Sequence, residues 1–162
     1  MNFEGIHEKT LVLVKPDAIQ RGLVGDIISR FEKKGMKLVA LKLTQPGKEV
    51  WAKHYAHIAD KPFYGAYEEF ITSTPVVAMV WEGLEVVNAV RLITGITKAR
   101  EAESGSIRGD FAMSVACNVI HASDSVENAK VEVERFFNAD DLYEYDRTDY
   151  LHLYMADERG EL

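Results

Sequence analysis

The segment CNVIHASDSVENAK, Cys117 to Lys130, places one histidine, His121, between an apolar run and a cluster of short polar residues, Ser123, Asp124 and Ser125. A helical pattern begins directly afterwards. The first turn of a helix points unpaired N–H groups outward and favours negative charge nearby. A neutral imidazole is a competent nucleophile near pH 7. A histidine in this setting could attack phosphorus and carry a phosphoryl group, and the P–N bond would be labile enough to pass it on. The plainer alternative is a half-buried histidine whose nitrogens are satisfied by main chain. Metal ligation is disfavoured, because no second His or Cys lies at ligand spacing.

Three cations extend the phosphate reading: Lys15 at the end of an apolar run, Arg91 in a helical pattern and Arg108 in a long unpatterned stretch. Singly, each reads as a solvated surface charge. Together they could gather round one anion, and the planar fork of arginine suits phosphate. The aromatics Tyr55, Phe63, Tyr64 and Tyr67 read mostly as core, yet one could stack on a nucleobase, since every base has a π face. The RGD tripeptide in IRGD, Ile107 to Asp110, is too short a match to imply adhesion. No G-x-x-x-x-G-K-[ST] is present, nor H-R-D with D-F-G, so neither a P-loop enzyme nor a protein kinase is expected.

The elements that must position these groups follow from periodicity. Strands are expected over Lys9–Pro16, Met36–Thr44, Pro75–Trp81 and Val115–His121. Helices are expected around Leu23–Phe31 with Gly35 ending it, over Lys48–His57, over Phe63–Ile71 with Pro62 in its first turn, and over Leu84–Ile93 ending at Gly95. A last helix carries Val126, Ala129, Val133 and Phe136, with Asp124 and Glu127 as its capping box. Residues 96 to 114 show no period, and a loop of that length is usually functional or disordered. The order β-α-β-α-α-β-α-β-α, less the middle helical insertion, is the ferredoxin-like βαββαβ arrangement. The expected class is α+β, an antiparallel sheet with helices on one face and an inserted helical pair.

The 162 residues suffice for one domain with a real core, and no linker-like tract divides them. Net charge is −7 and the pI near 5.2, which argues against a nucleic-acid partner. No apolar run approaches a membrane span, and MNFEGIHEKT reads as no signal peptide. Cys117 is the single cysteine, which fits a reducing compartment. A cytoplasmic protein with neither a membrane nor a nucleic-acid partner is expected.

Four blocks in order, TLVLVKPDAIQRGLVGDIISRFEKKGMKL, HYAHIADKPFY, PVVAMVWEG and IRGDF…NVIHASDS, give the chain its resemblance to the nucleoside diphosphate kinase family. The last block, N-x-x-H-x-S-D-S, matches the family's active-site signature. The resemblance covers nearly the whole chain and implies one kinase domain over residues 1–162, with 155–162 as a C-terminal tail. It implies a two-step exchange in which a nucleoside triphosphate, mainly ATP, phosphorylates His121 and any nucleoside or deoxynucleoside diphosphate then removes the group. By matched position, Lys15 and Asn118 would hold ribose hydroxyls and the phosphate end. Arg91, Thr97 and Arg108 would bind phosphates, Phe63 would stack on the base, and Val115 would close the other side of the slot. Tyr55 would lie beside the nucleophile, with Ser123 and Glu132 orienting its ring. Mg²⁺ would arrive on the nucleotide phosphates, with no protein metal site. A homo-oligomer is implied, a hexamer in preference to a tetramer.

Several positions depart from the family pattern. Lys98-Ala99 follows Thr97 where Asn-Pro is usual, and Ser104-Gly105-Ser106 replaces Pro-Gly-Thr, so the loop lacks two prolines. Ile58 stands where some members carry a histidine, and the neighbouring His57 would face elsewhere. Tyr67 replaces a commoner leucine near the base slot. The acidic tail from Met155 runs past the usual end. A second class of protein shares the fold: a nucleotide-sensing module without catalysis, in which His121 would be structural. Asn118, Ser123 and Glu132 alongside His121 favour the enzyme, since a sensor needs no oriented nucleophile.

Overall fold

The computed structural model describes residues 7–159. The N-terminal reading therefore falls largely outside the described residues, as does the tail beyond Arg159. Strands β1 (His7–Val14), β2 (Lys37–Thr44), β3 (Val76–Leu84) and β4 (Ile120–Ala122) form one sheet in the order β2-β3-β1-β4, and every pairing is antiparallel. The helices are α1 (Pro16–Gln20), α2 (Val24–Lys34), α3 (Lys48–His54), α4 (Tyr64–Ile71), α5 (Val86–Thr94), α6 (Ile107–Phe111) and α7 (Val126–Phe136). The βαββαβ frame of the sequence reading is present, with α2 and α5 as the crossover helices.

Alternation along the strands divides the core in two. Val12, Val14, Met79 and Trp81 face α2 and α5, meeting Ile27, Phe31 and Val90. Leu11, Leu13, Ala78 and Val80 face the opposite way, onto Trp51, Ile71, Val133 and Phe136. The expectation of helices on one face holds for the crossover pair; α3, α4 and α7 cover the other. This follows from β1 and β3 being apolar on both sides, which leaves neither face fit for water. Full burial of side chains such as Trp51, Trp81 and Phe31 contributes about 1.5–3 kcal/mol each before entropy is counted. No helix among the described residues is long and apolar enough to cross a membrane.

Gly35 ends α2 in a left-handed conformation, φ 98°, as its position implied. A Cβ there would meet Leu153 at 2.8 Å, so the segment after α7 packs directly over this cap. Helix α4 starts at Tyr64, so Pro62 lies just ahead of its first turn. Residues 56–58 form a separate 3-10 turn instead of extending α3. The unpatterned 96–114 stretch contains a 3-10 turn (Ala99–Glu101) and α6. The cap of α7 is Ser125, whose hydroxyl accepts from the Asn128 N–H; Asp124 instead accepts from the Asn128 amide at 2.6 Å. The N-cap therefore sits one residue later than the D-x-x-E spacing suggested, and it is a single Ser125–Asn128 bond in place of the expected Asp124–Glu127 capping box.

Candidate active site

Only the end of the expected Val115–His121 strand is extended, over Ile120–Ala122. The reason lies at Val119, which adopts a left-handed φ of 65°. A branched residue is strained there. Main-chain and side-chain bonds hold it: the Val119 N–H donates to Asp17 Oδ2 at 3.0 Å, and its carbonyl accepts from the Lys15 N–H at 2.9 Å. Directly beyond, β4 pairs with β1 so that His121 lies opposite Leu13. His121 therefore rides on the central sheet and opens into a cleft of about 1130 Å³.

His121 Nε2 lies 3.0 Å from Glu132 Oε2, on α7. The Ser123 hydroxyl donates to the same oxygen at 2.6 Å and accepts from the Leu11 N–H at 3.3 Å. Burial works to raise the Glu132 pKa, but the bonds and charges from His121, Ser123 and His54 outweigh it and hold the carboxyl below its ordinary value. The carboxylate is an acceptor only, so Nε2 carries the ring proton and the lone pair is left on Nδ1.

A second histidine joins this group that sequence spacing did not find. His54, at the end of α3, packs its ring edge-on to His121 with centroids 4.5 Å apart. Arg135 donates to His54 Nδ1 at 3.1 Å, which puts the hydrogen on Nε2. The only signal was helical: Trp51 and His54 share one buried face, and that pattern reads equally as core. His121 therefore does have potential co-ligands, contrary to what the spacing implied: His54, His121 and Glu132 present ligand atoms within 4.8 Å of one another. Burial first, then the charges of His121 and Arg135, pull the His54 pKa down to about 3, so the ring is neutral. The unfolded chain takes up that proton near pH 6.5. Stability from His54 is therefore whole above pH 6.5 and erodes as pH falls toward about 3. Between pH 6.5 and 5, above most carboxylate titration, the melting temperature of wild type should fall more steeply than that of His54→Gln; parallel slopes would contradict this.

Cations line the opposite wall. Lys15 Nζ donates to Asn118 Oδ1 at 2.8 Å and to the Ala116 carbonyl at 3.3 Å. Burial, and then the nearby Arg108, lower the Lys15 pKa to about 7. Asn118 spends both amide hydrogens on the carbonyls of Thr97 (3.1 Å) and Val115 (2.9 Å), tying the 97 loop to the strand end. Arg108 donates to the carbonyls of Gly95, Ile120 and Asn118 at 2.8, 2.7 and 3.4 Å. These bonds take three of the five guanidinium hydrogens. Burial, then Arg91, lower its pKa to about 10, so it stays charged. Gly109 makes the turn possible, because a Cβ there would meet the Glu103 carbonyl oxygen at 2.0 Å. The RGD tripeptide is thus part of a helix whose arginine faces inward.

Arg91 and Thr97 are exposed on the same wall. Phe63 (56% exposed) and Val115 (49% exposed) stand apolar and free at the rim. Tyr55 lies with its ring centroid 6.3 Å from that of His121. Of the predicted residues, all line the cleft except Ser123, which is fully buried behind Glu132.

One cleft of a ferredoxin-like sheet thus holds an oriented imidazole, the cationic side chains of Lys15, Arg91 and Arg108, and the exposed apolar ones of Phe63 and Val115. The nucleoside diphosphate kinase family model matches residues 8–142. A nucleoside diphosphate kinase of Parabacteroides distasonis is 44% identical over 151 residues, covering 93% of this chain and 99% of that protein. Nucleoside diphosphate kinase 3 of Homo sapiens is 52% identical over 138 residues, covering 85% and 82%. A halophilic nucleoside diphosphate kinase from Halobacterium salinarum, solved in complex with CDP, superposes with a TM-score of 0.89 at 43% identity, covering 91% of this chain and 99% of that one. The chain belongs to the nucleoside diphosphate kinase family, and phosphotransferase activity on nucleotides goes with that membership.

Proposed function

We propose that the chain moves the γ-phosphoryl group of a nucleoside triphosphate, mainly ATP, onto His121 Nδ1 and then onto a nucleoside or deoxynucleoside diphosphate. The observation that carries this is the His121–Glu132 bond at 3.0 Å, which occupies Nε2 and leaves the other ring nitrogen as the lone-pair donor. In the first half-reaction Nδ1 attacks γ-phosphorus in line, the bond from phosphorus to the β–γ bridging oxygen breaks, and the diphosphate leaves. Glu132 and Ser123 fix the ring, and Glu132 stabilises the positive charge it acquires. In the second half, a terminal oxygen of the acceptor attacks the same phosphorus and the P–N bond breaks. Lys15, Arg91, Thr97 and the remaining Arg108 hydrogens hold the phosphates, and Asn118 keeps a lone pair on Oδ1 for a ribose hydroxyl. Positioning and charge supply most of the acceleration.

Magnesium fits this cleft as a companion of the nucleotide. It prefers oxygen ligands, whereas the donor set beside His121 is two imidazoles and one carboxylate. Phosphate oxygens would hold the ion, which would neutralise charge on the departing diphosphate. The intact mass of the protein after incubation with ATP and Mg²⁺ tests the scheme. The expected result is a gain of one phosphoryl group, labile in acid and stable in base; no gain favours the nucleotide-sensing alternative.

Phe63 and Val115 offer the base a ring face and a methyl surface, and neither can read its hydrogen-bonding edge. The catalytic efficiencies of the common diphosphate acceptors should accordingly lie within about a hundredfold, since apolar contacts of this kind discriminate by only about 1–3 kcal/mol. A larger preference for one base would contradict the slot as described. We also infer a cytoplasmic, homo-oligomeric protein, a hexamer in preference to a tetramer, formed by one domain over residues 1–162. The edge strand β2 supports self-association: Leu41 and Leu43 are 48% and 65% exposed on it. Light scattering measures the assembly.

A further inference from the structure

Tyr67, on α4, is buried against the cleft, and its ring does more than fill space. The Lys15 ammonium lies over its face, 5.3 Å from the ring centroid. The same ring meets Tyr55 edge-on at 4.9 Å and Phe70 at 5.9 Å, so its orientation is fixed from two sides. Ammonium groups within about 6 Å of an aromatic face are attracted by its negative quadrupole, most strongly where water is excluded. Lys15 is buried, with the Asn118 and Ala116 oxygens as its hydrogen-bond acceptors. We propose that Tyr67 is a positioning residue for phosphoryl transfer, its ring face holding the Lys15 ammonium charged and aimed into the cleft. The inference rests on the reading that this cleft binds nucleotide phosphates, and it assigns a role to an aromatic that the phosphate and base contacts leave unused.

The electrostatic surroundings give the ring something to oppose. The charged and titratable groups facing Lys15 are Asp17 from α1, Arg108 from α6, Cys117 from the segment before β4, and Tyr67 itself from α4. Those facing Tyr67 are Asp17, Arg108, Cys117 and Tyr55. Burial and Arg108 disfavour the charged lysine and bring its pKa to about 7, while Asp17 works the other way. Burial pushes the Tyr67 phenol up to about 12, so the ring faces the lysine as a neutral aromatic. At neutral pH the lysine is poised between its two states, and a modest attraction from the ring decides how much of it is charged. A neutral lysine cannot hold phosphate, so activity should fall as pH rises through its pKa. Removing the ring should move that fall to lower pH.

The test is the pH dependence of the second-order rate at which ATP phosphorylates the protein, measured on wild type, Tyr67→Phe and Tyr67→Leu. That parameter reports ionisations of the free protein and free ATP, and those of ATP are common to all variants. Tyr67→Leu should bring the alkaline limb down by about half a pH unit or more, the expected scale for losing a desolvated cation–π contact. Tyr67→Phe keeps the face and should leave the limb near its wild-type position. A role in packing alone would lower the melting temperature of Tyr67→Leu without moving the limb. If Tyr67→Leu does not fold, pentafluorophenylalanine in place of Tyr67 keeps a ring of similar shape and reverses its face charge, and it should move the limb in the same direction. A limb that stays in place with either ring-disabling change overturns the proposal, as does one that moves as far in Tyr67→Phe. Failure of wild type to become phosphorylated would instead sink the underlying reading, and this inference with it.

Discussion

Replacing His121 with alanine is expected to lower nucleotide-to-nucleotide phosphoryl transfer by at least about 10⁴-fold, the scale on which a missing nucleophile shows itself. The acid-labile mass gain should vanish with it. Binding of ADP should persist, because Lys15, Arg108, Asn118 and Phe63 lie on other elements and none depends on the imidazole for its own contacts. The fold should also survive. The side chain is 20% exposed, and Glu132 keeps the Ser123 hydroxyl as a donor after the ring is gone. The informative result is thus a split, with transfer abolished and binding kept. Turnover at anything near the wild-type rate in His121→Ala would refute the phosphohistidine route. Loss of binding together with transfer would instead point to a collapsed site.

Arg108→Ala should be the next most damaging change, and it should act on two quantities. Removing one preorganised cation from the transferring phosphate costs roughly 10²–10³ in rate. The same change strips donors from the carbonyls of Gly95, Ile120 and Asn118, of which Asn118 keeps the Ile120 N–H at 2.8 Å. Each buried acceptor left without a partner costs about 1–3 kcal/mol, so the melting temperature should drop on the order of 5 °C or more. Arg108→Lys separates the two: it restores a charge but cannot reach three carbonyls and a phosphate at once, so rate should recover further than stability. Rates must be read well below each variant's melting temperature. A stable Arg108→Ala with unchanged transfer would remove this residue from the mechanism.

The parts of the molecule that could be read without a structure are those written in apolar spacing or in short ordered motifs. Val12 and Val14 alternate with Leu11 and Leu13 and announce a strand; Ile27 and Phe31 lie a turn apart and announce a helix stopped at Gly35. Residues such as Lys15, Asn118 and Arg108 could be named because they stand in blocks whose order resembles a known family. What escaped was set by side chains competing with main chain. VACNVIH has the composition of a strand, but the Asn118 amide claims the Thr97 and Val115 carbonyls and Asp17 claims the Val119 N–H, so the run is bent until Ile120. His54 escaped for a different reason. Its partners His121, Glu132 and Arg135 are far along the chain, and periodicity reports that a residue is buried without saying beside what. The covering of both sheet faces was legible in the doubly apolar strands, yet the topology of the crossover helices drew attention to one side.

The bent segment ahead of His121 has a consequence for how the molecule can vary. A valine at φ 65° stores on the order of 1–3 kcal/mol of backbone strain, and the Asp17 carboxylate stands against its release. The ring of His121 therefore takes its bearing from a sprung stretch of main chain, anchored more than a hundred residues away in sequence. Drift at the cleft's rim leaves that bearing untouched, whereas a change at Asp17, which meets no phosphate in the scheme above, would let the spring unwind and swing the nucleophile off its line.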